Sequence, residues 1–426
     1  MSNSNSIEWA KNRDVSDPLS KFRQEFVFPK EDGQDVLYFA GHSLGLMPKR
    51  TKAAIQSELD AWGEFGVEAH FKSKIPWVSY HEVVTASFAR LVGAKESEVV
   101  AMNSLTVNLH LMMTSFYNPK GKRNKILIES NTFPSDKYAV DSQARFHGLP
   151  PEDTVVELKH APGADSIDDD FIISEIKRLG DSLELVLIGQ CNYLSGQKFN
   201  MAKIAEAAHS VGAKVGFNLA HGAGNLSMNL HDDDIDFAVW CSYKYLNSGA
   251  GGIAGCFVHE KHHAAAKNPK DFRSMPRFEG WWGHNKTERF KMGPNFNPID
   301  SVEAWQLSNP PIFQLAALKA SLELFDEMGI KNARKRGDEL TSYFEMMIKE
   351  NLGSNVTVVT PAARGSMLCL KVASRHQEFK NHLMNHHAIV DFREPNIIRA
   401  TPTAMYNSFT DVYQLVQIMK SFFIGK

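Results

Sequence analysis

Cysteine is scarce in this chain. Its four cysteines in 426 residues, Cys191, Cys241, Cys256 and Cys369, have neither the pairing of a disulfide framework nor the spacing of a zinc site. They read as reduced thiols serving as small core residues. Net charge is nearly absent too, at −2, which gives no reason to expect nucleic acid or an anionic membrane as a partner. Any anionic ligand must therefore be held by local groups. No apolar run approaches the length of a membrane span, and the stretch from Met1 to Trp9 lacks the basic and apolar segments of a secretory signal, so a cytoplasmic location is expected. Internal repeats are missing, and the only low-complexity segment is a short Ser/Asn run at the start. What is present is an ordinary globular composition, 43% apolar and 23% charged, over a length that exceeds one simple core.

From Leu37 onward, strand-like runs alternate with helical patterns. The runs are Lys125–Glu129, Thr154–Leu158, Leu183–Ile188, Ala213–Asn218, Ile235–Ser242 and Gly252–Val258, with helices expected over Asp168–Leu179 and Asn200–Val211. Such alternation predicts an α/β fold with a mostly parallel sheet, whose ligands bind beyond the strand C-termini. From Pro310 the pattern changes to two long helices, Ile312–Met328 and Asn332–Asn351. Strands Val356–Thr360, Met367–Val372, Ala388–Phe392 and Ile397–Thr401 follow, with a last helix from Thr410. The expected organisation is an N-terminal arm (1–37), a large domain (38–310) and a small α+β domain (311–426), hinged at Pro310-Pro311.

The most informative residue is Lys244. It follows the apolar run Ile235–Ser242 and precedes a turn of small residues that closes at Gly255. A lysine at a buried strand end loses hydration, its pKa falls, and its neutral amine can condense with an aldehyde. Pyridoxal 5′-phosphate is the usual aldehyde. Asn218 ends the run Ala213–Asn218, on the rim where such folds place the partner of that cofactor's ring nitrogen. A surface lysine beside a glycine turn is the plainer alternative. Gly249–Gly255 lacks the dinucleotide-binding spacing and leads into a strand, so it reads as a close-packing turn.

Other residues gain meaning from that rim. Ser104 or Thr106 can cap a helix whose free amides could hold phosphate, although capping alone also explains them. Phe133, just before Pro134-Ser135-Asp136, could cover a planar ring or serve as a hydrophobic staple. His221 lies three residues beyond Asn218 and is either structural or catalytic. Arg399, near Arg393, could clamp a carboxylate or form a surface ion pair. Asp232–Asp234 reads as a solvated loop, and His382 with His386 lacks a third ligand, so no metal is expected.

Together these segments resemble the kynureninases, fold-type-I enzymes dependent on pyridoxal phosphate. The resemblance spans roughly residues 38–426. Its most specific part is Trp240-Cys-Ser-Tyr-Lys-Tyr-Leu-Asn247, supported by Gly41-His-Ser-Leu-Gly-Leu46, Asn108-Leu-His110, Phe133-Pro-Ser-Asp136, Leu219-Ala-His221, His231-Asp232, Gly280-Trp-Trp-Gly-His284, Arg289-Phe-Lys-Met292, Ser308-Asn-Pro-Pro311 and Tyr406-Asn-Ser-Phe409.

The resemblance implies a large domain with a mostly parallel seven-stranded sheet, a small C-terminal domain, and a homodimer with shared active sites. It implies hydrolytic Cβ–Cγ cleavage of L-kynurenine, or its 3-hydroxy form, to an anthranilate and L-alanine, in tryptophan catabolism and NAD biosynthesis. Lys244 would bind the cofactor covalently and move the proton at the substrate's α-carbon. Leu105 and Thr106 would meet the phosphate and Phe133 the ring, with Pro134, Ser135, Asp136, Asn218 and His221 also on the cofactor. Tyr243 would meet the phosphate and take part in proton transfer. Trp281 and Asn309 would reach the site from the other subunit, Ser43 and His70 would face substrate, and Arg399 would hold the α-carboxylate.

The chain departs from the family pattern where Asn218 replaces Asp and His42 replaces Asn. Gly189 also stands where a polar residue is common. The change at 218 matters most, because a carboxylate there keeps the pyridine nitrogen protonated. That loss leaves room for a weakly active or silent relative. Another fold-type-I enzyme, an aminotransferase or desulfurase relative, is the remaining alternative, although it would not explain the segments around Trp281 and Asn309.

Overall fold

Strands buried on both faces must be apolar at nearly every position, and the central runs of this chain meet that demand. The computed structural model describes residues 4–159, 161, 164, 166–263 and 275–424. Its main sheet has seven strands in the order Val99–Ala101, Gly255–Val258, Phe237–Trp240, Lys214–Asn218, Leu183–Gly189, Lys125–Glu129, Val155–Leu158. Pairing is parallel from Phe237–Trp240 through to Val155–Leu158. Gly255–Val258 alone runs the opposite way, antiparallel to both neighbours.

Side-chain alternation divides the sheet between two cores. Ile126, Ile128, Phe237 and Val239 face one layer with the helix Leu105–Phe116. Leu127, Ala238, Trp240 and Phe217 face the other, with the helix Met201–Ser210. This is the period of two that a strand imposes.

The expected runs of the main sheet all appear, mostly shortened at their ends, whereas Ala388–Phe392 divides into Ala388–Ile389 and Asp391–Arg393, which join different sheets. Ile235–Ser242 contracts to Phe237–Trp240, and Gly252–Val258 to Gly255–Val258. Cys241, Ser242 and Gly252–Ala254, lost from these strands, belong to the turn that carries Lys244. The sequence reading missed Val99–Ala101, whose three residues are too few to display a period.

The smaller lobe holds an antiparallel sheet in the order Val356–Val358, Leu368–Val372, Ile397–Ala400, Asp391–Arg393. The helices Ile330–Leu352, His376–Asn385 and Phe409–Ile424 cover it. Ala10 and Phe39 join this lobe's core, and Leu37–Tyr38 pairs with Ala388–Ile389, so the N-terminal segment packs here. The helix Ile312–Met328, expected beyond the hinge, buries Leu315, Leu318, Leu322 and Phe325 in the large sheet's core instead. Its apolar face is wide enough to serve either lobe. The choice follows from the helix Arg50–Phe65, against which it packs. Among the described residues, no helix is long and apolar enough to cross a membrane.

Candidate active site

The turn Cys241–Ala254 joins two adjacent antiparallel strands, so it returns directly across the rim at which the parallel strands end. It is pinned from outside by the segment Gly41–Leu46: Gly45 N–H donates to Tyr243 O at 2.9 Å. A Cβ on Gly45 would come within 2.4 Å of Lys244 O, so only glycine allows this approach. That contact explains why a glycine-bearing segment two hundred residues upstream accompanies the lysine motif.

Beneath the turn lies a cavity. Its walls bring together Leu105, Thr106, Phe133, Ser135, Asp136, Asn218, His221, Tyr243 and Lys244, each singled out from sequence. Gly189, noted as a departure from the family pattern, lines it as well, and Glu129, Cys191, Tyr193 and Ala220 complete the lining without having been anticipated as site residues. Their signal lay in position: Glu129 ends a strand on the same rim, as Asn218 does.

Burial lowers the pKa of Lys244, and the positive fields of Arg399 and Arg393 add to that effect against the opposing pull of Asp136. Its Nζ lies 3.3 Å from His221 Nε2. Burial, then Lys244 and Arg399, hold His221 well below the usual imidazole range, so the ring is neutral and can exchange a proton with the amine. Tyr243 is pushed up to about 12 by burial and Cys241, which keeps its phenol protonated. Phe133 lies beside the lysine, 5.8 Å from Nζ to ring centre, and meets Tyr193 edge to face.

The helix Leu105–Phe116 starts at this cavity, and its cap residue Ser104 makes no side-chain capping bond. The open N–H groups at Leu105 and Thr106 therefore remain available to an anion. Thr106 Oγ1 and Ser135 Oγ lie 2.9 Å apart at the same place. Asp136 Oδ1 and His221 Nδ1, on residues that line the same cavity, are buried without partners. An amine with depressed pKa, an uncapped helix start and unpaired polar atoms together fit a planar, phosphate-bearing aldehyde such as pyridoxal phosphate.

Other expected residues lie elsewhere in the single chain. Pro134 starts the helix Pro134–Phe146 without lining the cavity. Ser43 and Asn309 are exposed, and His70 Nδ1 bonds Val67 O at 3.0 Å. Trp281 lies on the surface, its Nε1 donating to Arg289 O at 3.1 Å. Arg399 is buried with its guanidinium divided between Asp391 and Tyr193 O, the latter at 2.7 Å, while its Nε has no partner. Arg393 reaches the same carboxylate at 3.1 Å.

Asp234 is more engaged than a solvated loop would be, bonding Lys261 at 2.6 Å and approaching His209 and His259. Glu98, His231 and His259 set three potential metal ligands within 4.8 Å of one another. Glu98 already accepts from Lys95 N, Glu260 N and His231, which accounts for its burial.

Solved structures of similar shape include the lyase C-DES, in a mutant with glycine linked to its PLP cofactor. It has a TM-score of 0.76 at 15% identity, covering 90% of this chain and 96% of that one. The Escherichia coli cysteine desulfurase CsdA gives a TM-score of 0.75 at 17% identity, covering 95% and 98%. At such identities the likeness establishes the fold. The model of the kynureninase C-terminal domain matches residues 333–419. Over nearly the full length, the chain is 50% identical to a kynureninase of Myxococcus xanthus, covering 97% of each. It is 46% identical to one of Christiangramia forsetii, covering 99% of each. The chain belongs to the kynureninase family. It is accordingly a pyridoxal-phosphate-dependent hydrolase on a fold-type-I scaffold.

Within the kynureninase family pattern, each departure has a structural setting here. His42 is buried, with Nδ1 2.8 Å from Thr401 Oγ1 and Nε2 3.4 Å from Asp391. Burial and Arg399 hold it well below the usual range, so it is neutral. Gly189 makes room for Glu129: a Cβ there would lie 3.0 Å from Glu129 Oε1, which instead accepts the Gly189 N–H at 3.3 Å. Asn218 donates to Asp136 at 2.6 Å and accepts from Ala220 N–H at 2.8 Å.

Burial raises Glu129 to about 8 and Asp136 to about 6. Between its unfolded value of about 4.5 and its folded value of about 8, Glu129 keeps a proton that the unfolded chain has lost. Its contribution therefore destabilises the fold increasingly as pH rises through that window. Glu129→Gln should flatten this loss in cofactor-free protein, so that its melting temperature falls less between pH 5 and pH 8 than the parent's. Parallel melting curves across that range would show that Glu129 ionises as it does in water.

Proposed function

We propose that this chain hydrolyses the Cβ–Cγ bond of L-kynurenine, or of 3-hydroxy-L-kynurenine, to anthranilate or 3-hydroxyanthranilate and L-alanine. That reaction is a step of tryptophan breakdown toward NAD, here assigned to the cytoplasm. The observation that carries the proposal is the buried Lys244 amine at 3.3 Å from a neutral His221, beneath an uncapped helix start.

Bound pyridoxal phosphate supplies an aldehyde for Lys244 and a ring that accepts electron density from the substrate's α-carbon. The chain's own residues do the rest. Leu105 and Thr106 at the helix start hold the phosphate, with Ser135 beside them. Phe133 would cover the ring, and Asn218 with Asp136 would meet its edge. Lys244 takes the proton from the α-carbon, its low proton affinity making the free amine available near neutral pH. His221 accepts or returns a proton at Nζ. Tyr243, still protonated, donates where negative charge develops. Arg399 binds the α-carboxylate, its orientation fixed by Asp391 and Tyr193 O. Water adds to the γ-carbonyl, its oxygen ending in the aromatic acid's carboxylate, and the freed β-carbon takes a proton to become the methyl group of alanine. Product analysis after incubation with kynurenine tests the assignment. Alanine without an anthranilate, or neither product, would exclude it.

We also propose a homodimer with shared sites, in which Trp281 and Asn309 complete the neighbour's cavity and Ser43 and His70 face the substrate. Phe71, Phe290 and Trp281 support this: they form an exposed aromatic cluster, 59%, 52% and 45% accessible, with ring centres within 6 Å along the chain of contacts. Such patches mark contact surfaces. Residues 38–310, together with the helix Ile312–Met328 packed into their core, would then form the cofactor-binding part and the remainder of 311–426 the part that closes on it. Mixing Lys244→Ala chains with Asn309→Ala chains should restore turnover in hybrids, since one of their two sites is intact. Hybrids that form without activity would rule out the shared site.

A further inference from the structure

Asn218 is held by two neighbours of opposite hydrogen-bonding sense. Oδ1 accepts from Ala220 N–H at 2.8 Å, and Nδ2 donates to Asp136 Oδ2 at 2.6 Å. Turning the amide over would set Nδ2 against the Ala220 N–H and Oδ1 against a carboxylate oxygen. Both contacts would become repulsive, in a buried place where water cannot replace them. The amide therefore has one stable orientation. Its oxygen is turned to the chain's own backbone two residues on, and its nitrogen keeps a second N–H, a donor that this side chain can offer to the cavity.

We infer that this chain holds the pyridine nitrogen of bound pyridoxal phosphate unprotonated, with Asn218 donating a hydrogen bond to the nitrogen's lone pair and Asp136 locking that donor in place. The inference rests on the reading of this cavity as the cofactor site, with residue 218 at the ring nitrogen. Asp136 is then a positioning residue. The surroundings agree: burial first, and after it the positive charges on this rim, Arg399 and Arg393 among them, hold both His42 and His221 neutral, and the same burial and arginine charges oppose a pyridinium.

An unprotonated ring accepts less electron density, so proton removal at the α-carbon slows. Restoring the carboxylate with Asn218→Asp would place two carboxylates in hydrogen-bond contact, an arrangement that only a shared proton or an intervening cation relieves. A protonated ring nitrogen is such a cation. The expected gain in turnover is about one to three orders of magnitude, from the roughly one to three pKa units that a nearby opposite charge supplies.

Full-length protein loaded with pyridoxal phosphate carrying ¹⁵N in the ring tests this directly by NMR at neutral pH. The unsubstituted protein should resonate at the position of an unprotonated pyridine, and Asn218→Asp at that of a pyridinium. Asp136→Asn should stay unprotonated, because an amide at 136 still accepts from Asn218 through its oxygen. A pyridinium signal in the unsubstituted protein would overturn the inference. If Asp136→Asn then removed that signal, the charge of Asp136 would govern the nitrogen instead. Should Asn218→Asp fail to fold, the spectrum of the unsubstituted protein still decides. Failure to retain the cofactor at all would overturn the reading of the cavity, and this inference with it, whereas a bound but protonated cofactor overturns this inference alone.

Discussion

Lys244→Ala is expected to abolish turnover of kynurenine while leaving the fold intact. The side chain serves twice, as the amine that binds the cofactor and as the base at the substrate's α-carbon. Proton transfer by a positioned group alone is worth about 10²–10⁴-fold, and the covalent role adds to it. The lowered pKa of the buried amine is what allows both. In the parent protein, borohydride should fix the cofactor on a peptide containing Lys244. The alanine variant should still take up cofactor through the helix start at Leu105 and Thr106, without a covalent label. Labelling at another lysine, or residual turnover above a hundredth of the parent's, would remove Lys244 from its assigned role. Lys244→Arg serves as a control, since it keeps the charge but cannot supply a neutral amine.

Arg399→Ala is expected to raise KM steeply with little change in the cofactor's spectrum. Removing one partner of a buried, charge-assisted contact costs about 2–5 kcal/mol, or about 30- to 5,000-fold in kcat/KM. The structure sharpens the comparison with Arg393. Both arginines converge on Asp391 and each has a buried Nε without a partner, but Arg399 is the more deeply buried and is held by Tyr193 O at 2.7 Å. Arg399→Lys should recover only part of the loss, because a point charge cannot reproduce the fork. A large KM effect from Arg393→Ala, with none from Arg399→Ala, would exchange the two roles.

The elements and the lysine turn were legible because their signals are local. An apolar run of strand length, a lysine and a cluster of glycines all lie between Phe237 and Gly255, within the span where periodicity and turn chemistry act. The resemblance rested on equally local strings, and it named nine of the cavity's lining residues. The short strand Val99–Ala101 was not legible, since three residues cannot display an alternation, and neither was the lobe that the helix Ile312–Met328 would join.

The sequence by itself determined the α/β class, the Lys244 turn, the family and most of the residues that line the cavity, through patterns that a few neighbouring residues carry. Only the tertiary structure decided which side chains meet across the rim. Asp136 and Asn218 are 82 positions apart, Glu129 and Gly189 are 60 apart, and Arg399 reaches Tyr193 across 206. Strand order sets those contacts: Lys125–Glu129, Leu183–Gly189 and Lys214–Asn218 lie side by side in the sheet, although long segments separate them in the chain. The direction of the Asn218 amide and the proton on Glu129 follow from burial at that junction, where water cannot satisfy a misplaced donor or an unpaired charge.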